Sequence, residues 1–420
     1  MIRRLRTAWV IFFVFLFGGA ACAALPSLPR AEDTSPTKTP LPVSLPATST
    51  PSPTPTLEGP RVLRVWLPPR FDPSADTPAG RLLQSRLREF ELRRPGLKVE
   101  VRIKAETGDA SLLASLLAAA DAAPSALPDL VALPRSDAES AARQGVLHPL
   151  DGLTDFSENP DWYPYAREMA RFRNAVYGIP FAADALALLY HPLEGLSPTW
   201  ESFQENQIRL LFAADDPRAS FALCLYLSAG GTLTDDSGAP ALDSSLLTQI
   251  FSFYQSDAVS STSVHYQEDD AVLRDFLVQP DTAAVLWVDS LLDDFPKESA
   301  LAAIPSLKGE SCSLASGWIW SLAGSNPDLQ PVAVELAEFL TDSEFLSAWS
   351  DAAGVLPPRP NALAAWTERD SLDALQAISA AARPLPEEDI LSQLTPSLHD
   401  SILQVLNREI SPEDAAQGGD

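Results

Sequence analysis

Residues 174 to 192, NAVYGIPFAADALALLYHP, constrain the fold more than any other segment of the chain. An apolar run from Ala185 to Tyr190 reads as a buried strand, entered through Gly178, Pro180 and a solitary carboxylate, Asp184. An unpaired buried carboxylate is costly, so a strand does not take one at its start without a purpose. One reading has the chain crossing here from one lobe to another, with Asp184 facing a solvated cleft. The other has the carboxylate capping a short helix or closing a solvated strand end. The segment by itself leaves both open.

At 420 residues the chain is long enough for two lobes, each with its own core. The formal net charge of −26 argues against nucleic acid or an anionic membrane surface as partner, because both need clustered Lys and Arg.

The N-terminus carries an address. Arg3, Arg4 and Arg6 precede the apolar run Ala8 to Phe17, and Gly18-Gly19-Ala20-Ala21 then leads into Cys22. This order reads as an export signal, and the apolar run is short for a membrane span. Small residues immediately before a cysteine resemble the lipobox of bacterial lipoproteins, which makes Cys22 the candidate lipidation site. Gly19 stands where those signals usually carry Leu. Residues 25 to 60 are dominated by Pro, Ser and Thr and cannot build a core, so they read as an extended tether. At about 3.1 Å per residue that tether would reach roughly 100 Å. The expected location is the outer face of the cytoplasmic membrane, held by a lipid. Cys224 and Cys312 remain in the folded part, where export permits a disulfide but the apolar run around Cys224 suits an ordinary core thiol.

From Val62 the pattern alternates. VLRVWL predicts a strand, and Thr77-Pro78 opens a helix with Leu83, Leu87 and Phe90 at helical spacing. LKVEVRI (97 to 103) predicts a strand, and Asp109 is expected to cap a helix ending near Ala122. DLVALP predicts a buried strand, followed by a helix in which Ser136 and Glu139 have capping-box spacing and Gly145 is the stop. RLLFAAD, TAAVLWV and SGWIWSLAG extend the strand set. SFALCLYLSAGG, LTQIFSFYQSD and PVAVELAEFLTD extend the helices, and the chain closes on a long helix, a turn at Ser411-Pro412 and a short final helix. This rhythm implies an α/β fold with a mostly parallel sheet and helices on both faces.

The order of segments resembles the family 1 extracellular solute-binding proteins of ABC transporters, the maltose-binding-like group, over residues 61 to 416. It rests on VLRVWL, PDLVALPRSDAESAARQGVLHPLD, YGIPFAADALALLYHP with PTWESF, SAGGTLTDDSG, AAIPSLKG before SGWIWSLAGSNP, GVLPPRPNAL and SPEDAA. The resemblance implies a two-lobed periplasmic-binding-protein fold of type II that closes on a ligand. It places crossings near 182 to 186, 316 to 320 and 351 to 354. Lobe one is then 61 to 184 plus about 317 to 350, and lobe two 185 to 316 plus about 351 to 416. The implied function is capture of a sugar or sugar-like solute and delivery to the permease subunits of an ABC importer, by a monomer that needs no cofactor. A sensor not coupled to transport would use the same fold.

In open α/β sheets, ligands sit beyond the carboxyl ends of the strands. That geometry selects Arg70 and Asp72 after the first strand, Arg135, Ser136 and Asp137 after the third, and Asp184 at the crossing. It adds Trp287 and Asp289 after a later strand, and Trp318 at the return crossing. Sugar hydroxyls want carboxylate acceptors and Arg donors, and the apolar face of a pyranose packs on an aromatic ring, for which Trp66, Trp287 and Trp318 are candidates. Trp318 follows Gly317 and is expected outward, with Trp320 in the core. Ser136 and Asp137 have alternative duties at a helix N-terminus, whereas Arg135 has none evident. Maltose-type proteins carry aromatic platforms just before the last long helix, where this chain has Leu394-Thr395-Pro396-Ser397. That departure argues against a maltodextrin.

No nucleophile elbow, phosphate-binding loop, dinucleotide fingerprint or zinc-ligand spacing is present, and the histidines at 148, 191, 265 and 399 lack metal-ligand spacing. The chain reads as a binding protein. A glycan-acting enzyme would need two carboxylates facing each other across a cleft.

Overall fold

The computed structural model describes residues 61–259, 261–324 and 326–417. The export signal, Cys22 and the Pro-rich tether lie outside the described residues. The described part of the chain opens with three strand–helix units: β1 (Arg61–Leu67) and α1 (Pro78–Arg93), β2 (Leu97–Ile103) and α2 (Leu112–Ala122), β3 (Leu130–Pro134) and α3 (Arg135–Arg143). Thr77 starts α1 by accepting the Gly80 N–H at 3.0 Å, with Pro78 at the first helical position, where its missing N–H costs nothing. The α2 cap is Ser111, not Asp109: its hydroxyl accepts the Ala114 N–H at 3.2 Å. Gly145, at φ +72°, ends the α3 segment in a left-handed turn that a side chain would strain.

Next come α4 (Pro164–Met169), a small hairpin of β4 (Arg171–Phe172) and β5 (Ala175–Val176), and the long β6 (Ile179–Tyr190). The middle of the chain contains α5 (Trp200–Glu205), β7 (Arg209–Leu211), α6 (Ser220–Ser228), α7 (Ser244–Tyr254) and α8 (Asp269–Phe276). It continues through β8 (Thr282–Trp287), α9 (Asp289–Leu292), β9 (Ala300–Ala302) and β10 (Ser313–Leu322). The chain then runs through α10 (Gln330–Leu340), α11 (Ser343–Ala352), α12 (Pro360–Ala364) and α13 (Leu372–Ala381). It closes with β11 (Ala382–Pro384), α14 (Glu388–Leu406) and α15 (Pro412–Gln417). The stretch Leu394 to Ser397 falls inside α14 and not before it, with Pro396 within the helix.

The main sheet has the order β2-β1-β3-β10-β6-β8-β7, with β11 on β10 and β9 on β6. β1 pairs in parallel with β2 and β3, β7 with β8, and β11 with β10; every antiparallel pair of this sheet contains β6 or β10. Both of those strands change partner along their length. β6 pairs with β10 up to Ala185 and with β8 from Leu186, while β10 pairs with β11 through Ala315 and with β3 from Trp318. They therefore carry the chain from one half of the sheet to the other. Leu356 adds a third contact there, exchanging two backbone hydrogen bonds with Ala183, each 2.8 Å.

The two-residue period of β6 divides its side chains between two cores. Leu186 and Leu188 join a core with α6, α7, α14 and α15, whereas Ala185, Ala187 and Leu189 join one that continues under β1 to β3. A strand buried on both faces has no room for alternating polar residues, which is why this run reads as unbroken apolar sequence. Cys224 and Cys312 are buried and free.

Candidate ligand-binding cavity

A cavity of about 210 Å³ sits where β6 and β10 cross between the two halves of the sheet. Its floor is Ala182 to Asp184 from β6 and Ala315 to Trp318 from β10. Arg70 enters after β1, and Arg135, Ser136 and Glu139 come from the start of α3. Arg218, Asp289 and residues of the segment from Leu385 to Leu391 complete the lining.

Asp184 is the chemical centre of this floor. Its Oδ1 accepts the Ala185 N–H at 2.8 Å and the Asp289 N–H at 3.0 Å. Burial, followed by the charge of Asp289, pushes its carboxyl well above the ordinary range, and the two backbone N–H groups only partly oppose this. Arg70 comes within 4.0 Å of the Asp289 carboxylate, with both side chains more than a third exposed, so water weakens the pair. The carboxylate that stood alone in sequence thus faces a second one, 105 residues away.

Trp318 lines the same cavity, its ring held edge-on by Phe71 at 5.3 Å and 82°. Trp320, two residues on, is 2 % exposed and stacked on Phe181 at 4.5 Å. Gly317 permits the close approach of the two crossing strands: a Cβ there would lie 2.4 Å from the Ala182 carbonyl oxygen.

Arg135 has a local duty that was not evident from sequence. Its guanidinium donates to the Leu385 carbonyl, and its Nε lies 3.0 Å from Oε1 of Glu139. Glu139 Oε2 in turn accepts the Glu388 N–H at 3.1 Å. Burial pulls the Arg135 guanidinium down and pushes the Glu139 carboxyl up, each offset by the other's charge. The Ser136–Glu139 capping box is not formed: Pro134 occupies the N-cap without a side-chain bond, and Glu139 turns to Arg135. Ser136 lines the cavity. The Arg135–Glu139 spacing of i, i+4 was the sequence signal that would have found the pair.

Four expected residues lie elsewhere. Trp66 is a correction: it is 3 % exposed in the core, because β1 is flanked by β2 and β3, and Lys104 covers its ring at 4.6 Å. Trp287 lines a separate cavity of about 230 Å³ with Asp269, Asp216 and Ser220. Asp269 accepts the Trp287 N–H and is pushed up to about 7 by burial and then by neighbouring aspartates. Asp137 is half-buried beside the first cavity without lining it, raised by burial and then by Glu388. Asp72, outside the cavity, holds a local turn by accepting the Ser74 N–H at 2.7 Å. Arg218 and Glu388 line the cavity but come from distant segments, and nothing local in the sequence marks them.

Residues 86–374 match the model of a family described as bacterial extracellular solute-binding protein. Among solved structures, the maltose-binding periplasmic protein of Listeria monocytogenes in complex with maltose aligns at a TM-score of 0.68 and 16 % identity, covering 86 % of this chain and 96 % of that one. The cyclic alpha-maltosyl-1,6-maltose binding protein of Arthrobacter globiformis aligns at 0.69 and 17 %, covering 86 % and 97 %. An ABC transporter solute-binding protein of Thermotoga lettingae bound with alpha-D-tagatose aligns at 0.61 and 20 %, covering 86 % and 98 %. These likenesses show a common two-lobed fold. No curated protein matches the chain in sequence.

Proposed function

The chain belongs to the family of bacterial extracellular solute-binding proteins, and from that membership we propose a receptor that closes two lobes on a small sugar-like solute and hands it to an ABC importer. The observation that carries the reading is that the Asp184 carboxyl and the Trp318 indole open onto one cavity at the crossing strands. A carboxyl group beside an aromatic face suits a polyol ring: the hydroxyls bond to the first and the C–H face packs on the second. Asp289, Arg70 and Ser136 supply further polar contacts. At about 210 Å³ the cavity is below the ~300–1,000 Å³ of pockets for drug-sized ligands, which favours a small solute. Sugars are the ligands named for the similar structures, which supports the same class here.

The lobes on this reading are residues 61 to 184 with about 317 to 350, and 185 to 316 with about 351 to 416. Closure is driven by contacts the ligand makes only when both lobes reach it. Lipidation at Cys22 and the tether to residue 60 hold the folded body near the membrane, and the partners are permease subunits. The protein acts as a monomer and does no chemistry on its ligand.

A thermal-shift screen against monosaccharides, disaccharides and polyols tests this, since a ligand at 100 times its Kd stabilises by about 2.7 kcal/mol. At least one small sugar or polyol should raise Tm and be recovered unchanged. No response to any of them removes the sugar reading, and release of a cleaved product removes the receptor reading.

A further inference from the structure

One wall of the cavity is a direct contact between α3 and the chain entering α14. Arg135, Glu139 and Arg143 stand at i, i+4 and i+8, so a single stripe of α3 carries all three. Their partners come in the same order: the Leu385 carbonyl, the Glu388 N–H at 3.1 Å, and the Asp389 carboxylate. The two inner rungs are dry, with the Arg135 and Glu139 side chains 12 % and 5 % exposed. Arg135, Glu139, Leu385 and Glu388 line the cavity and also touch one another across its edge. Behind the ladder, Leu391 lines the cavity and Leu394 is buried, so the first turns of α14 offer aliphatic side chains and no aromatic platform.

We propose that the α3–α14 ladder is a size filter, which lets the cavity close on a single-ring sugar or polyol and excludes an oligosaccharide. This rests on the sugar reading above and deepens it. A second or third ring leaving the cavity on this side would have to part the two helices. That would strip the Glu139 carboxylate and the Arg135 guanidinium of their partners on the incoming chain. Each hydrogen bond to a charged group is worth about tenfold or more in affinity, so losing two costs roughly hundredfold.

The test is calorimetric titration of the purified protein with two length series: xylose, xylobiose and xylotriose, and glucose, maltose and maltotriose. The expected result is that affinity in the better series falls by about a hundredfold from one ring to three. In Glu139→Ala/Arg143→Ala that ratio should shrink by at least tenfold. A trisaccharide bound as tightly as its single ring overturns the filter and leaves the receptor standing; this comparison needs no variant to fold. An unchanged length ratio in a folded double variant also overturns it. Failure of every sugar to bind overturns the sugar reading, and the filter with it.

Discussion

The Asp184 carboxylate accepts the backbone N–H of Asp289 at 3.0 Å, joining the crossing strand β6 to the first residue of α9. That bond fixes the orientation of Asp184 and brings a second carboxyl to its side, so the cavity is lined by two acidic groups together with Trp318.

Binding should depend on both kinds of wall. Asp184→Ala and Trp318→Ala are each expected to weaken affinity for the best ligand by about tenfold, or about 1.4 kcal/mol, without unfolding the protein. Calorimetry on both variants checks this, and unchanged affinity in the two would remove the assignment of the site.

Asp269 sets a pH dependence of stability. Its folded-state value is raised from 3.8 to about 7, mainly by burial. Between those values the folded state keeps a proton that the unfolded chain has shed, so stability falls as pH rises through the window and then levels off. The penalty above pH 7 is on the order of a few kcal/mol. Asp269→Asn keeps an oxygen for the Trp287 N–H and removes the charge. It should flatten the Tm–pH curve from about pH 4 to 7 and raise Tm at pH 8. A curve parallel to that of the parent protein would contradict it.

The Arg135–Glu139 pair should be costly to break and cheap to replace. Arg135→Ala leaves the Glu139 carboxylate, whose side chain is 5 % exposed, without its cation. The expected loss is about 3–5 kcal/mol in urea unfolding. Arg135→Met/Glu139→Leu removes both charges and should recover most of that loss. A double variant as unstable as the single one would mean that the bonds to Leu385 and Glu388, not the charge pairing, carry the energy.

Gly317→Ala tests the contact between the crossing strands. The added methyl would meet the Ala182 carbonyl oxygen at 2.4 Å and the Met169 sulfur at 3.1 Å, inside a packed layer. Overpacking of this kind costs about 1–3 kcal/mol. Loss of stability together with weaker ligand binding is the expected outcome. A variant with unchanged Tm and affinity would show that the strands can part there freely.

Much of the architecture was legible because it follows from local rules. The alternation of strand and helix from β1 to α3 comes from apolar period and turn residues. Thr77 caps its helix as its side chain predicts, and Gly145 stops the next one through its positive φ. Where several local signals competed, the structure chose differently. Ser111 caps α2 in place of Asp109, and Glu139 gives up the Ser136 box for Arg135, because a buried guanidinium needs a counter-charge more than a helix end needs a second acceptor. Trp66 looked like a strand-end aromatic, but its strand lies between two others, and that position comes from sheet order.

Sequence by itself determined that Asp184 adjoins an apolar run read as a buried strand, because charge and apolar period are properties of neighbouring residues; the structure extends that strand back to Ile179, so Asp184 lies within β6 and not at its start. Sequence also determined the order of segments that makes up the fold. Only the tertiary structure decided what Asp184 faces, which Trp reaches the cavity, and that α3 meets the chain entering α14. Those facts depend on contacts between residues 105 to 250 positions apart, such as Asp184 with Asp289 and Arg135 with Leu385. Local propensity acts over a few residues along the chain. Pairing across such distances is set by how the sheet and its two cores close, when buried charges must find partners or pay for desolvation.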